Sequence, residues 1–467
     1  MDTLKNILKV IGSNITTIIA GVFVSFLLPK IISVADYGFY KTYTLYFNYI
    51  GVLSLGLIDG IVLKYGGKEY HELDRGKFRA YYTWYALLQL LFSVIIILVT
   101  FFVEGSDYKF VALILTINLL PANTIGYFQQ ISQIVQRFKE YSLRKIIESV
   151  ANILIVCVLF LLYKMEWTTV SYKYYLIALV SVSILLFGWY LITYREIVFG
   201  KSEGRWVALK DVFCLIKLGF PLLLSNLCST LMLSLDRQLI SMLFSPEEYA
   251  TYAFAYSMLS LITTATSAVS VVIYPIFKRI NEDRLKTIYK DINTLMLVFI
   301  FAMMAGYFAI CYIIEWFLPQ YTYSILIFRI ILPGLAVSSS VTIIMHNYYK
   351  VFGKTGRFFI QSVISLALSV LCNVVAYWIY GTREAVSMAS VIALCIWYVI
   401  TQLGMRKICN NTWKNITYLA LMGTSFYLCG IIPLYWLGFV AYFMVFVVVS
   451  LLFYRKDYKG IKAALLK

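Results

Sequence analysis

The chain has 467 residues, 61% of them apolar and 13% charged, where an ordinary soluble protein is roughly 45–50% apolar and about 25% charged. No globule of this length hides that apolar fraction behind so few charges, which excludes a soluble enzyme, a disordered chain and a secreted disulfide scaffold. The formal charge of +17 comes from Lys and Arg scattered in short segments between apolar runs, so it is a topology signal and not a nucleic-acid-binding face.

A helix crossing the hydrocarbon layer needs about 20 mostly apolar residues. In chain order such runs lie near 11–33, 39–63, 81–103, 109–130, 143–163, 171–194, 213–244, 247–276, 292–317, 322–346, 358–380, 384–405, 415–433 and 435–454. The fold class this predicts is an all-α polytopic membrane protein of about 14 transmembrane helices. The first run is too long for a signal-peptide core and reads as an uncleaved span. Only Pro433 and its neighbours separate the last two.

With the N-terminus inside, 32 of the 40 Lys and Arg fall in inside segments and 6 outside, while Arg237 and Arg329 lie within spans. That alternation predicts an even number of spans with both termini cytoplasmic. Outside loops such as Val34 to Gly38 and Ser245 to Glu248 are too short for a soluble domain. The eight cysteines form no C-x-x-C pair, and His71 and His346 have no ligand-like neighbours, so no metal, disulfide framework or Ser-His-Asp chemistry is read.

Shifted by 212 residues, the chain matches itself: Ser13-Asn14 falls on Ser225-Asn226, Ser33 on Ser245, Asp36-Tyr37 on Glu248-Tyr249, Tyr40 on Tyr252 and Leu120-Pro121 on Leu332-Pro333. Two homologous halves of six spans enter from the same side and are parallel repeats. The expected division is an N-lobe at 1–194, a cytoplasmic linker at 195–212, a C-lobe at 213–406, and an extra helix pair with a basic tail at 407–467. Twin lobes suit a transporter that rocks around a cavity. Pro121, Pro221 and Pro333 lie inside spans and each removes a backbone hydrogen bond, as a hinge or as a static kink.

Charges deep in a span cost roughly 2.5–3.5 kcal/mol each and usually face the bundle interior. Arg237 is eight residues from Ser245 and Arg329 seven from Thr322, about 10–12 Å below the outer surface at ~1.5 Å per residue. Two guanidiniums at one depth suit an anionic passenger, since each stays charged and grips phosphate or carboxylate with two donors. The plainer alternative is internal glue, with Arg237 held by Asp236 or Glu315. Lys30 and Lys41 lie nearer the outer face, where they either contact the anion or snorkel. Asp59 either binds a coupling cation or a sugar, or caps a helix end. The tyrosines at 40, 43 and 46 form a stripe on span two that serves packing or an interfacial belt more readily than sugar stacking.

Ser33-Val-Ala-Asp-Tyr-Gly-Phe-Tyr40, Leu55-Gly-Leu-Ile-Asp-Gly60 and Leu63-Lys-Tyr65 resemble the first two helices of the polysaccharide-biosynthesis flippases. So do Leu235-Asp-Arg237, Phe244-Ser-Pro-Glu-Glu-Tyr-Ala-Thr-Tyr-Ala-Phe-Ala-Tyr256 and Tyr274-Pro275, while Tyr348 to Gly356 resembles the turn before that family's eleventh helix. The chain departs at Gly381-Thr-Arg-Glu-Ala385, where a Gly-x-x-Gly-Ala signature is common, and at Ala250, where a Gly is common. The resemblance, from residue 7 to about 405, implies a Wzx-type flippase (O-antigen, capsule or teichoic-acid type) of the MOP superfamily, which includes the MATE transporters. It implies V-shaped six-helix lobes around a cationic cavity and translocation of an undecaprenyl-pyrophosphate-linked oligosaccharide across a bacterial inner membrane. No cofactor is expected beyond coupling to a proton or sodium gradient; the partners are the lipid-linked oligosaccharide, membrane lipids, a glycan polymerase and glycosyltransferases, without nucleic acid. Arg237 and Arg329, with Lys30 and Lys41, are then the headgroup contacts, and Asp59, Asp236 and Glu315 the ion ligands or charge partners. A lipid II-type flippase and a multidrug antiporter of the same superfamily are the alternatives; a membrane-embedded transferase or polymerase needs larger outside loops.

Overall fold

In the computed structural model the backbone is described for residues 2–166, 169–201, 205–279, 282–406 and 412–465. Side chains are described for 12–166, 169–201, 209–263, 285–286, 289, 292–349, 351–354, 356–406 and 413–454. The linker expected at 195–212 and the tail expected from 407 lie partly outside these residues, as does Cys409.

Nineteen α-helices follow one another and no strand occurs among the described residues. They are α1 (Asp2–Ile31), α2 (Val34–Phe47), α3 (Leu57–Tyr65), α4 (Arg75–Thr100), α5 (Ser106–Ile134), α6 (Phe138–Lys164), α7 (Tyr172–Thr193), α8 (Arg195–Val198) and α9 (Arg205–Met232). Then come α10 (Leu235–Leu243), α11 (Pro246–Arg279), α12 (Glu282–Met304), α13 (Gly306–Phe317), α14 (Ser324–Ser339), α15 (His346–Val351), α16 (Thr355–Tyr380), α17 (Arg383–Met405), α18 (Thr412–Cys429) and α19 (Tyr435–Leu465). Among the described residues eleven helices are long and apolar enough to cross a membrane, and a bent pair, Val34–Ser54 with Leu57–Tyr65, makes twelve. The chain is a multi-pass membrane protein. Expected spans eight and thirteen correspond to α11 and α18, which are not among the twelve; the side chains of α11 beyond residue 263 and the first of α18 lie outside the described residues.

Helix starts follow side-chain chemistry. Ser33 Oγ accepts from the Asp36 backbone N–H at 3.1 Å and opens α2. Before α11, Ser245 Oγ accepts from the Glu248 N–H while the Glu248 carboxylate accepts from the Ser245 N–H, both at 3.2 Å, a reciprocal capping box. The repeat matches at 33–37 and 245–249 are therefore two copies of a helix-start signal. Gly381 ends α16 with φ +62°, and Thr382 caps α17 through the Ala385 N–H at 3.3 Å.

Two predicted runs are not single helices. The run 39–63 bends by 58° between Val34–Ser54, where α2 continues into a 3-10 turn at Ile50–Ser54, and α3. There Leu55 and Gly56 both adopt the left-handed region, at φ +51° and +85°. Glycine takes that geometry freely, whereas a leucine there is strained by about 1–2 kcal/mol. The run 213–244 breaks after Met232, because the Leu233 and Ser234 N–H groups bond three residues back, to Thr230 and Leu231, and tighten the helix to its end. Asp236 and Arg237 consequently belong to the short helix α10 and not to a continuous seventh span.

The chain divides into two compact units, 1–227 with 245–250, and 228–244 with 251–467. In the first, the core is an aromatic cluster on α3, α4, α5 and α7 that includes Tyr81, Tyr85, Tyr127, Phe128 and Tyr190. Two close crossings pass through glycine. Gly38 of α2 lies against the backbone of Pro246, and Gly60 of α3 against the backbone of Leu215, where Gly219 in turn meets α3. Tyr40 and Tyr43 of the tyrosine stripe are buried, as is Tyr37 one turn earlier, so this part of the stripe packs. The second unit is closed by α12–α19, with α14 running into a π-helical turn at Ser340–Met345.

Candidate functional site

In the second unit, Asp236 and Arg237 enter α10 side by side. Asp236 is 2% exposed, and its carboxylate accepts hydrogen bonds from the Tyr252 hydroxyl at 2.6 Å and from the Tyr256 hydroxyl. Two phenol donors from one face of α11 thus satisfy the same carboxylate oxygen, Oδ2. Arg237, half-buried, donates from Nη2 to the Leu233 carbonyl at 2.8 Å, one of the carbonyls freed where α9 ends. Its guanidinium carbon lies 4.5 Å from the Tyr256 ring centroid, within cation–π range, and Nε has no hydrogen-bond partner. Among the described residues no carboxylate is within ion-pair distance of this guanidinium. Arg237 thus keeps its charge and part of its donor capacity.

Arg329 on α14 is held differently. Nη1 donates to the Gly430 carbonyl at 3.0 Å, and the guanidinium lies 5.3 Å from the Tyr427 ring centroid. Gly430 is close-packed: a Cβ there would come within 2.8 Å of Arg329 Cδ. Nearby, Glu315 accepts from the Tyr435 hydroxyl at 2.5 Å. These two bonds fasten the 430–435 turn between α18 and α19 to α14 and α13. Glu315 therefore does not hold Arg237. Of the sequence-read residues in this unit, the structure brings Arg329 and Glu315 to one turn and Asp236 and Arg237 to one short helix.

Lys30, Lys41 and Asp59 belong to the first unit and are half-buried. Lys30 is in the last turn of α1. The Lys41 ammonium lies 5.1 Å and 5.0 Å from the ring centroids of Tyr37 and Tyr40, so aromatic faces hold its charge. Asp59 sits in the first turn of α3, where the helix dipole favours a carboxylate. The helices α5, α9 and α14 run on through Pro121, Pro221 and Pro333, while the breaks lie at 48–56 and 233–234.

Also in the first unit, Arg144 is buried with its guanidinium 3.6 Å from Glu140, 2.5 Å from the Thr193 hydroxyl and 4.1 Å from the Tyr190 ring centroid. Arg137 lies 3.6 Å from the Tyr70 ring centroid. Burial pushes the Tyr70 phenol up, and the Arg137 charge pulls the other way; the phenol is neutral and the contact is cation–π.

The charged residues are legible in the sequence because charges stand out in apolar runs. Their partners Tyr252 and Tyr256, and the amides Gln89, Asn118 and Asn123 of α4 and α5, are not singled out by that reading. A signal exists for the amides: polar side chains in the middle of the runs at 81–103 and 109–130.

A family model described as polysaccharide biosynthesis protein matches residues 3–281. No curated protein matches the sequence. Among solved structures, a lipid II flippase, MurJ, in an inward closed conformation is similar over 97% of this chain and 99% of its own, with a TM-score of 0.71 at 16% identity. An inward-facing multidrug resistance MATE family transporter of the MOP superfamily covers 87% of this chain and 95% of its own, with a TM-score of 0.62 at 15% identity. A MOP superfamily transporter from Pyrococcus furiosus, described by the reverse polarity of its binding pocket, covers 89% and 96% with a TM-score of 0.56 at 14% identity. At these identities the likeness is one of fold, and the fold is that of the MOP superfamily.

Proposed function

The chain belongs to the polysaccharide biosynthesis protein family, and from that premise we propose that it is a flippase carrying an undecaprenyl-pyrophosphate-linked oligosaccharide across a bacterial inner membrane, with both termini cytoplasmic. The observation that carries this reading is Arg237: a half-buried guanidinium on a broken helix, braced by the Leu233 carbonyl and the Tyr256 ring and free of carboxylates among the described residues. A pyrophosphate headgroup supplies the oxygens that such a group lacks. The sugars follow the headgroup, the polyprenyl tail stays in lipid, and no covalent bond changes. Lys30, Lys41 and Arg329 are further candidate headgroup contacts, and alternating access is coupled to a proton or sodium gradient through Asp59, Asp236 or Glu315.

A lipid II cargo is the second reading, supported by the shared fold with the lipid II flippase. Lipid II also carries a polyprenyl pyrophosphate, so the anion logic is the same and only the sugars differ. A cationic-drug cargo is disfavoured by the guanidinium at Arg237, which repels it. The test is reconstitution: purified protein in liposomes moves a fluorescent undecaprenyl-pyrophosphate glycan between leaflets, Arg237→Ala does not, and a cationic dye is not moved. Transport of the dye and not of the glycan overturns the reading. Ionophores that collapse the proton or the sodium gradient separate the two coupling ions, and reporter fusions at each terminus test the orientation.

A further inference from the structure

The break in span two has a support of its own. Between α2 and α3 the α-helix gives way to a tighter 3-10 turn over Ile50–Ser54 and then to the left-handed pair Leu55-Gly56, all inside a membrane-spanning run, and carbonyls turned out of the α-helical pattern there must find partners within the protein. Two side chains supply them: Gln89 Nε2 of α4 donates to the Leu53 carbonyl at 3.1 Å, and Asn123 Nδ2 of α5 donates to the Ile50 carbonyl at 3.0 Å. The two amides are joined, Asn123 Nδ2 to Gln89 Oε1 at 2.7 Å. The Tyr85 hydroxyl fixes the second amide's own backbone, donating to the Asn123 carbonyl at 3.0 Å. Gln89 and Tyr85 are fully buried and Asn123 nearly so.

Each arm of the bent span is seated tightly at a distance from the break. Gly38 of α2 meets the Pro246 backbone, and the Tyr249 hydroxyl donates to the Lys41 carbonyl at 3.3 Å; Gly60 of α3 meets the Leu215 backbone. With both arms seated, the angle between them is set at the break, where Leu55 holds a left-handed backbone that a leucine does not choose unaided. The arms carry Lys41 and Asp59.

We propose that Gln89 and Asn123 are positioning residues for transport: as a joined pair they hold the carbonyls of span two's break and so set the 58° bend that places Lys41 and Asp59 relative to one another. This rests on the flippase reading for its transport half. For its structural half it does not.

The experiment uses the full-length protein with its native cysteines replaced by serine and spin labels at Ala35 on α2 and Leu63 on α3. The distance between labels is measured by double electron–electron resonance in liposomes, alongside flipping of a fluorescent undecaprenyl-pyrophosphate glycan. Gln89→Leu and Asn123→Leu, alone and together, shift or broaden the inter-arm distance and slow flipping by roughly 5–30-fold, the factor that one or two lost hydrogen bonds correspond to. The exchanged pair, Gln89→Asn with Asn123→Gln, retains both amides and recovers distance and rate together, which a general folding defect does not do. An unchanged inter-arm distance in the double leucine variant overturns the proposal, as does a changed distance with full flipping. If the double variant does not insert, the single variants and the exchanged pair decide by the same criteria. A distance that responds in a protein that, unmutated, moves no such glycan overturns the flippase reading and leaves the brace standing.

Discussion

The guanidinium of Arg237 lies 4.5 Å from the ring centroid of Tyr256, and the hydroxyl of that same ring donates to the neighbouring carboxylate, Asp236. One phenol thus serves both members of an adjacent charge pair, its face to the cation and its edge to the anion. Neighbouring residues on a helix point about 100° apart and do not neutralise one another directly. A third group, one element away, meets both side chains instead.

Tyr256→Phe and Arg237→Ala are therefore expected to differ. The phenylalanine keeps the ring under Arg237 and leaves Tyr252 on Asp236, so export of surface glycan in a flippase-null strain falls only a few-fold. Arg237→Ala removes the donor set proposed to grip the cargo, and export stops while the amount of inserted protein, read by immunoblot of membranes, is unchanged. Equal export from both variants contradicts the anion-binding role.

Arg329 presents the opposite balance. Its bond to the Gly430 carbonyl and the Glu315–Tyr435 bond tie one turn to two helices. Arg329→Ala leaves that carbonyl without its charged donor and costs about 1.5–3 kcal/mol, visible as a lower Tm of the detergent-solubilised protein. Glu315→Gln retains an acceptor for the Tyr435 hydroxyl and is nearly silent. An Arg329→Ala protein of unaltered Tm that fails to export assigns this residue to the cargo instead.

What can be read in advance follows from the range of the forces involved. Apolar runs of membrane-spanning length, basic residues on one side and the capping serines Ser33 and Ser245 are local signals, and from them come the helices, the expected orientation and the repeat. Arg237, Arg329, Asp236 and Glu315 stand out because a charge among apolar residues is conspicuous. The breaks do not: 48–56 and 233–234 contain no proline and are as apolar as their surroundings. Their positions depend on side chains from other helices, Gln89 and Asn123 for one, and on three-residue backbone bonds at Thr230 and Leu231 for the other. Periodicity names the face a residue occupies and not the neighbour it meets; hence Asp236 is visible as a charge and Tyr252 and Tyr256 as part of a motif, while the bonds between them are not.

The glycine crossings give a contrast within one residue type. A Cβ at Gly38 or Gly60 would run into the backbone of Pro246 or Leu215, and backbone does not swing aside. Alanine at either position forces helices apart and is expected to lower stability by roughly 1–3 kcal/mol. At Gly126 and Gly188 nothing lies within 4 Å, so alanine there only gains helix propensity, about 0.5–1 kcal/mol. Melting curves of the four variants should fall into these two pairs; Gly60→Ala melting with Gly126→Ala contradicts the close crossing.

Arg144 tests how a buried cation is kept. Its side chain is 4% exposed against 35% for its partner Glu140, at 3.6 Å, so the pair has a dry end and a wet end. Removing Glu140 strands the cation in the dry part with the Thr193 hydroxyl and the Tyr190 and Trp189 rings beside it. Breaking a fully buried pair costs about 3–5 kcal/mol; because Glu140 reaches solvent, Glu140→Ala is expected to cost less, roughly 1–3 kcal/mol. Arg144→Met removes the charge together with its desolvation penalty and fills the same space, so in that background Glu140→Ala is nearly silent. A double-mutant cycle on Tm isolates the difference as the coupling between the two residues. If Glu140→Ala is as costly in the Arg144→Met background as it is beside the native arginine, the carboxylate supports the end of α6 by some means other than the cation, and the pairing is incidental.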